Sequence, residues 1–132
     1  MHSNRHTQTM STHSIAEAAG LTGLTTHTLR YYERDGLLLR EVDRDASGRR
    51  RYSEGDLTWI ELVTKLRSTG MHIRDVRRYA ELVRQGPQTE GARLELLRAH
   101  RARVVEQLAQ ITEHLGAIDR KIGIYEDRAL RA

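Results

Sequence analysis

The residues with most chemistry to offer in this chain are arginines, histidines and tyrosines, and their spacing suits phosphates and base edges better than catalysis. His27, Arg30, Tyr31 and Arg34 fall on one stripe of a helix. Arg49, Arg50 and Arg51 follow Gly48 without a break and lead into Tyr52. Three consecutive guanidinium groups do not fit a core, so they point to an exposed basic wing. The groupings that catalysis needs are missing. With no cysteine, thiolate nucleophiles, thiolate metal sites and disulfides are excluded. There is no glycine-rich phosphate loop, no H-E-x-x-H pair and no Ser-His-Asp arrangement, so no enzyme, cofactor or metal is expected. His2 and His6 sit in a polar stretch read as a disordered tail, and His100 and His114 share one heptad face. Both pairs are read as surface residues rather than ligands.

The elements that must position these side chains are marked in the sequence. Residues 1–12 are polar and aperiodic. Ser14 and Glu17 spell a capping box for a first short helix, which Gly20 is expected to stop. A turn through Leu21, Thr22, Gly23 and Leu24 leads to Thr25, the cap of a second helix that buries Leu29 and Tyr32 and ends at Gly36. Two short helices joined by a glycine-containing turn match a helix-turn-helix. An apolar run over 37–42, a turn cluster over 43–48 and the Arg49–Tyr52 run predict a β-hairpin. Ser53 caps a third helix with Leu57, Ile60, Val63 and Leu66 inward, ending at Gly70. A fourth runs from Ile73 to about Gln85 with Ile73, Val76, Ala80 and Val83 inward, and Gly86-Pro87 stops it.

The last segment is the most periodic. Leu94, Leu97, Arg101, Val104, Leu108, Ile111, Leu115, Ile118, Ile122 and Tyr125 alternate in steps of three and four, and all but Arg101 are apolar. A helix carrying that seam spans roughly 45–50 Å at about 1.5 Å per residue. A domain of some seventy residues cannot cover it, so it calls for a second copy of the same helix. Arg101 on the seam sets register or lies near an open end.

Composition agrees with this layout. The 132 residues carry 22 Lys plus Arg against 18 Asp plus Glu, and a net charge of +4 favours an acidic partner such as nucleic acid. No apolar run approaches a membrane span, and the first residues lack the apolar stretch of a signal peptide, so a cytoplasmic protein with no membrane contact is expected. The chain divides into a tail (1–12), a mainly α-helical winged helix-turn-helix domain (13–86), a coiled-coil helix (87–127) and a short tail (128–132).

Residues 13–86 resemble the MerR family of transcription regulators. The resemblance is carried by Ser14 to Gly20, by Thr28-Leu29-Arg30-Tyr31-Tyr32-Glu33, by Gly36-Leu37-Leu38, by Gly48 to Ser53, and by Leu66-Arg67 with Gly70-Met71. Asp56 to Leu62, Tyr79 to Gly86 and Ile118 to Ile122 with Tyr125 are similar to the small aldehyde-responsive, AdhR-like branch. The resemblance implies that Thr26, His27 and Arg30 face base edges or nearby phosphates, and that Tyr31 reaches the DNA backbone. Tyr32 is then partly buried at the groove wall, and Ser14 presents helix N–H groups to a phosphate. Arg49, Arg50 and Tyr52 would grip the flanking backbone, with a lesser part for Arg51, while Arg67 and His72 form a second wing. Leu97, Val104, Leu108, Ile111, Leu115, Ile118 and Ile122 would hold an antiparallel homodimer.

That dimer is expected on a promoter inverted repeat, switching transcription by distorting the DNA and so acting on RNA polymerase indirectly. The other reading is an architectural or recombination-accessory DNA binder without a switch. The sequence departs from the family in three places. Leu39 and Arg40 stand where relatives carry prolines, Arg49 where a tyrosine is frequent, and Leu57 where the thiol-bearing branch has its cysteine. A small-molecule effector would therefore have to be sensed without a thiol. Trp59, Tyr79 and Tyr125 are the aromatic residues available to a pocket, and core packing is their ordinary role.

Overall fold

The computed structural model describes residues 12–132; His2, His6 and the rest of the expected N-terminal tail up to residue 11 lie outside the described residues. In chain order the elements are α1 (Ile15–Thr22), α2 (Thr26–Arg34), β1 (Asp43–Arg44), β2 (Arg50–Arg51), α3 (Glu54–Ser68) and α4 (Ile73–Gln85). A 3-10 turn (Pro87–Thr89) and α5 (Glu90–Arg131) complete the chain. They divide into two compact units, one closing at Leu94 and one from Glu95 to Ala132, so the division falls inside α5.

The helix starts are set by local chemistry. Ser14 Oγ accepts from the Glu17 N–H at 3.1 Å while Glu17 Oε1 accepts from the Ser14 N–H at 2.8 Å. Ser53 and Asp56 repeat this reciprocal box at the head of α3. Thr25 caps α2 through the Thr28 N–H at 3.0 Å. The stop of α1 is Gly23, not Gly20. Gly23 adopts φ 73°, where an L side chain is strained, and its N–H closes on the Ala19 carbonyl.

In the first unit α1 packs on α2 and α3, and α3 on α4. The fully buried residues include Leu29, Leu37, Tyr52, Ile60, Val63, Met71 and Val76. Each aliphatic side chain among them stabilises the fold by about 1.5–3 kcal/mol. On α4 the inward set is Val76, Ala80 and Leu82, with Val83 only half-buried.

The hairpin differs from expectation. Residues 37–42 form no strand; the ladder pairs only Asp43 with Arg51 and Arg44 with Arg50. The reason is that side chains occupy the backbone groups a ladder would use. Trp59 Nε1 donates to the Leu37 carbonyl at 2.8 Å. Arg84 donates to the carbonyls of Gly36 at 3.1 Å and Leu39 at 2.8 Å, and also to that of Leu38. The Val42 N–H donates to Glu33 Oε2 at 2.8 Å. Leu37, Leu38 and Val42 are buried beneath this clamped loop.

The second unit is the bulk of α5. The 42 residues of α5 span about 63 Å, longer than expected. Helix also replaces most of the expected C-terminal tail, reaching Arg131, where Arg131 pairs with Asp127 at 3.1 Å. The seam residues Leu108, Ile111, Leu115, Ile118, Ile122 and Tyr125 are each 51–62% exposed. Leu97 and Val104 are half-buried. His114 is exposed as expected, whereas His100 is buried.

Candidate nucleic-acid interface

The interface is built from the start of α1, one face of α2 and the wing. The wing turns through Asp45-Ala46-Ser47-Gly48. The Gly48 N–H donates to the Asp45 carbonyl, and the Asp45 N–H to the Arg49 carbonyl, both at 2.9 Å. Asp45 Oδ1 accepts from the Ser47 and Arg49 N–H groups at 2.9 and 3.0 Å. Those bonds hold the Asp45 carboxyl below its ordinary range. Gly48, at φ 81°, supplies the left-handed residue such a three-residue hairpin loop requires.

The wing leans on a third segment. His13 and Tyr52 exchange two backbone hydrogen bonds at 2.8 Å, and His13 Nε2 contacts Glu54 Oε1 at 2.8 Å. Arg51 donates to the Thr12 carbonyl at 2.9 Å and to its hydroxyl at 3.2 Å. Residue 12, expected in the tail, is therefore tied down.

A cleft of about 300 Å³ opens where these parts meet, lined by Ser14, Ile15, Arg30, Arg44, Asp45, Gly48 and Arg49–Arg51. Two of its guanidinium groups, those of Arg30 and Arg49, are exposed and make no side-chain hydrogen bond or ion pair among the described residues. Thr26 and His27 open the same helix as Arg30, with His27 exposed and Thr26 half-buried. Tyr31 is half-buried, with the Arg34 guanidinium 5.7 Å from its ring centre, a cation–π contact that stiffens both side chains. Ser14 sits at the edge of the cleft, but its own N–H is taken by Glu17. The helix N–H groups left for an anion are those of Ile15 and Ala16.

Three of the expected DNA contacts have other roles. Arg50 is turned inward; its Nε donates to Glu33 Oε1 at 2.7 Å, and both side chains are largely covered. Tyr52 is fully buried and its hydroxyl has no hydrogen-bond partner. Burial pushes its pKa up. Tyr32 is only 6% exposed, so it is a core aromatic, packed beside Tyr31 at 6.3 Å between ring centres. The second-wing residues also bond within the chain. Arg67 donates to the Met71 carbonyl at 2.7 Å, and His72 caps α4 by accepting the Arg74 N–H on Nδ1 at 3.0 Å. Of the aromatic residues weighed for a pocket, Trp59 and Tyr79 stack at 5.5 Å between ring centres, while Tyr125 is exposed.

The residue that joins reading helix to wing is Glu33, which the sequence offered only as the end of a motif. Burial works against its ionisation, but hydrogen bonds from Arg50 and the Val42 N–H outweigh that and hold its carboxyl below the ordinary range. Arg77 adds a second tie, donating to the Asp35 carbonyl at the end of α2 at 2.8 Å. Partners 17 and 42 residues apart in the chain gave no local signal for these pairings.

A reading helix carrying an unpaired arginine, a basic hairpin braced against it and a capped helix start at one cleft define a winged helix-turn-helix DNA-binding protein. Residues 13–82 match the family model described as MerR HTH family regulatory protein, and residues 57–121 match the model described as MerR, DNA binding. An HTH-type transcriptional regulator of Haemophilus influenzae is 36% identical over 87% of this chain and 84% of its own length. The regulator AdhR of Bacillus subtilis is 42% identical over 70% of this chain and 66% of its own.

Among the crystal structures that share the fold, two illustrate it. One, a MerR family regulator from Listeria monocytogenes, has a TM-score of 0.81 at 35% identity and covers 86% of each chain. The other is HiNmlR, described as a MerR family regulator lacking the sensor domain, bound to promoter DNA. Its TM-score is 0.80 at 35% identity, over 88% of this chain and 91% of its own. The chain belongs to the MerR family of DNA-binding transcriptional regulators. No helix among the described residues is long and apolar enough to cross a membrane.

Proposed function

We propose that the protein acts in the cytoplasm as a homodimer on an inverted repeat within a promoter, and that it switches transcription by distorting the DNA between the half-sites. On this reading it does no enzymatic chemistry, and RNA polymerase responds to the altered DNA. The observation that carries the reading is the pair of free, exposed guanidinium groups, Arg30 on α2 and Arg49 on the wing, beside the N-terminus of α1. Arg30, with Thr26 and His27, addresses base edges in the major groove. Arg49, Tyr31 and the Ile15 and Ala16 N–H groups address phosphates. Arg50, Tyr52, Tyr32, Arg67 and His72 hold those groups in place without touching DNA. The neighbour crystallised on promoter DNA supports the target class.

A dimer follows from the exposed seam of α5, and half-sites read by two such heads are then related by a two-fold axis. The test is binding to the upstream region of its own gene with chemical probing of the central base pairs. Hyperreactive central steps are expected; protected flanks with unaltered central steps would refute the distortion.

A further inference from the structure

Apart from the DNA-facing cleft, another opens between the head of α3 and the loop that joins α2 to the wing. It holds about 280 Å³. Leu38, Leu39 and Trp59 give it apolar walls, and Arg40, Gly55 and Asp56 line it beside them. Trp59 offers ring surface rather than a donor. Its Nε1–H is committed to the Leu37 carbonyl, and its ring is steadied by the stack on Tyr79.

The polar groups leave one unmatched pair. Arg40 Nη1 donates to Asp43 Oδ1 at 2.9 Å, and Asp56 Oδ2 accepts from the Ser53 N–H at 2.9 Å. Arg40 Nη2 and Asp56 Oδ1 stand 4.0 Å apart, too far for a hydrogen bond, and neither atom has another among the described residues. The Asp56 side chain is only 15% exposed, so little water reaches it. A donor and an acceptor thus lie side by side against an apolar wall, the usual make-up of a small-molecule site. Gly55 keeps the rim bare. Its backbone is ordinary helix without positive φ, and a Cβ there would meet only Ser53 Oγ, at 3.7 Å. Neither conformation nor crowding calls for glycine, the poorest helix former after proline.

We propose that this cleft binds a small, flat, apolar molecule ending in a carboxamide. The amide carbonyl accepts from Arg40 Nη2, the amide N–H donates to Asp56 Oδ1, and the body packs on Trp59, Leu38 and Leu39. A carboxylate would leave Oδ1 without a donor and add like charge beside Asp56 and Asp43. An ammonium would leave Nη2 without an acceptor and set two cations together. The loop beneath the cleft runs from α2 to the wing, and its Val42 N–H bonds Glu33 on α2. Occupancy therefore acts on the segment that sets the wing against the reading helix, which makes the ligand an effector of the promoter switch. That consequence, unlike the site, rests on the function proposed above.

The single tryptophan of the chain reports the site directly. Benzamide titrated into the full chain should change Trp59 emission saturably, with a dissociation constant on the order of 0.1–1 mM, as suits so small a ligand. No saturable change would overturn the site. Benzoate and benzylamine should bind roughly tenfold more weakly, because each leaves one polar atom unmatched. Equal binding of either would overturn the carboxamide assignment. Gly55→Leu covers the rim at an exposed helical position, and Arg40→Met removes an exposed donor. Each should keep its circular dichroism and raise the benzamide constant roughly five- to tenfold. Wild-type affinity in both would place benzamide elsewhere and overturn the cleft. Saturating benzamide should shift operator affinity about fivefold in the wild type and not in Gly55→Leu. An unshifted affinity, in a protein that binds both, would overturn the effector role. A protein that binds benzamide but no operator would instead refute the proposed function, and the effector role with it, while upholding the site.

Discussion

The unit that closes at Leu94 and the helix that extends beyond it handle their apolar surface in opposite ways. In the first, fifteen hydrophobic residues among those described are buried, and its loops are held by arginine and tryptophan donors on backbone carbonyls. In the second, the apolar stripe from Leu108 to Tyr125 stands half open or more. A large apolar stripe left in water is costly, so its retention in a helix of 42 residues is explained by a partner. The same chain thus contains a head that covers its apolar residues with its own contacts and a helix whose apolar stripe is left for a partner to cover.

That contrast can be broken at either end. Ile111→Asp should do most, because a two-fold interface receives two unpaired charges. Weakening of the dimer by about 3–5 kcal/mol per charge is expected, read by sedimentation, with the thermal unfolding of the head unchanged. Ile60→Ala, at a fully buried position, should do the reverse. It should destabilise the head by about 2–5 kcal/mol in urea unfolding and leave the helix pairing intact. Arg30→Ala should leave both stabilities alone and cost roughly 1–3 kcal/mol of discrimination between operator and random DNA. If discrimination is unchanged, the reading face has been assigned to the wrong residues.

Smaller effects sharpen the picture inside the head. Glu33 has a carboxyl held below its ordinary value of 4.5. Its contribution is therefore present above that value and lost as pH falls through the lowered one. Urea midpoints taken from pH 7 down to 3 should fall, and Glu33→Gln should flatten that fall and cost about 1–3 kcal/mol at neutral pH. Tyr52→Phe removes a buried hydroxyl without a partner, so stability should stay within about 0.5 kcal/mol or rise.

Local signals in the sequence carried most of the fold. The Ser14–Glu17 and Ser53–Asp56 boxes, the Gly86-Pro87 stop and the seam of α5 are each written within a few residues of where they act. What could not be read was which arginine faces which way. The run Arg49–Arg51 looks uniform, yet Arg49 is free, Arg50 bonds Glu33 and Arg51 bonds Thr12. A two-residue strand fixes that alternation only once its partner strand is known. The loop over 37–42 reads as a strand in the sequence because its clamps, Trp59 and Arg84, lie more than twenty residues away. Tyr52 reads as a DNA contact for a like reason: an aromatic beside a basic run suits either side of a thin wing.

The central claim is that one region reads DNA and the other brings two readers together. Selecting bound sequences from a random DNA pool tests it most directly, with the full chain and the Ile111→Asp variant run side by side. The full chain should return an inverted repeat of fixed spacing, and the variant a single half-site of the same sequence. Recovery of one asymmetric site by both proteins would contradict the account.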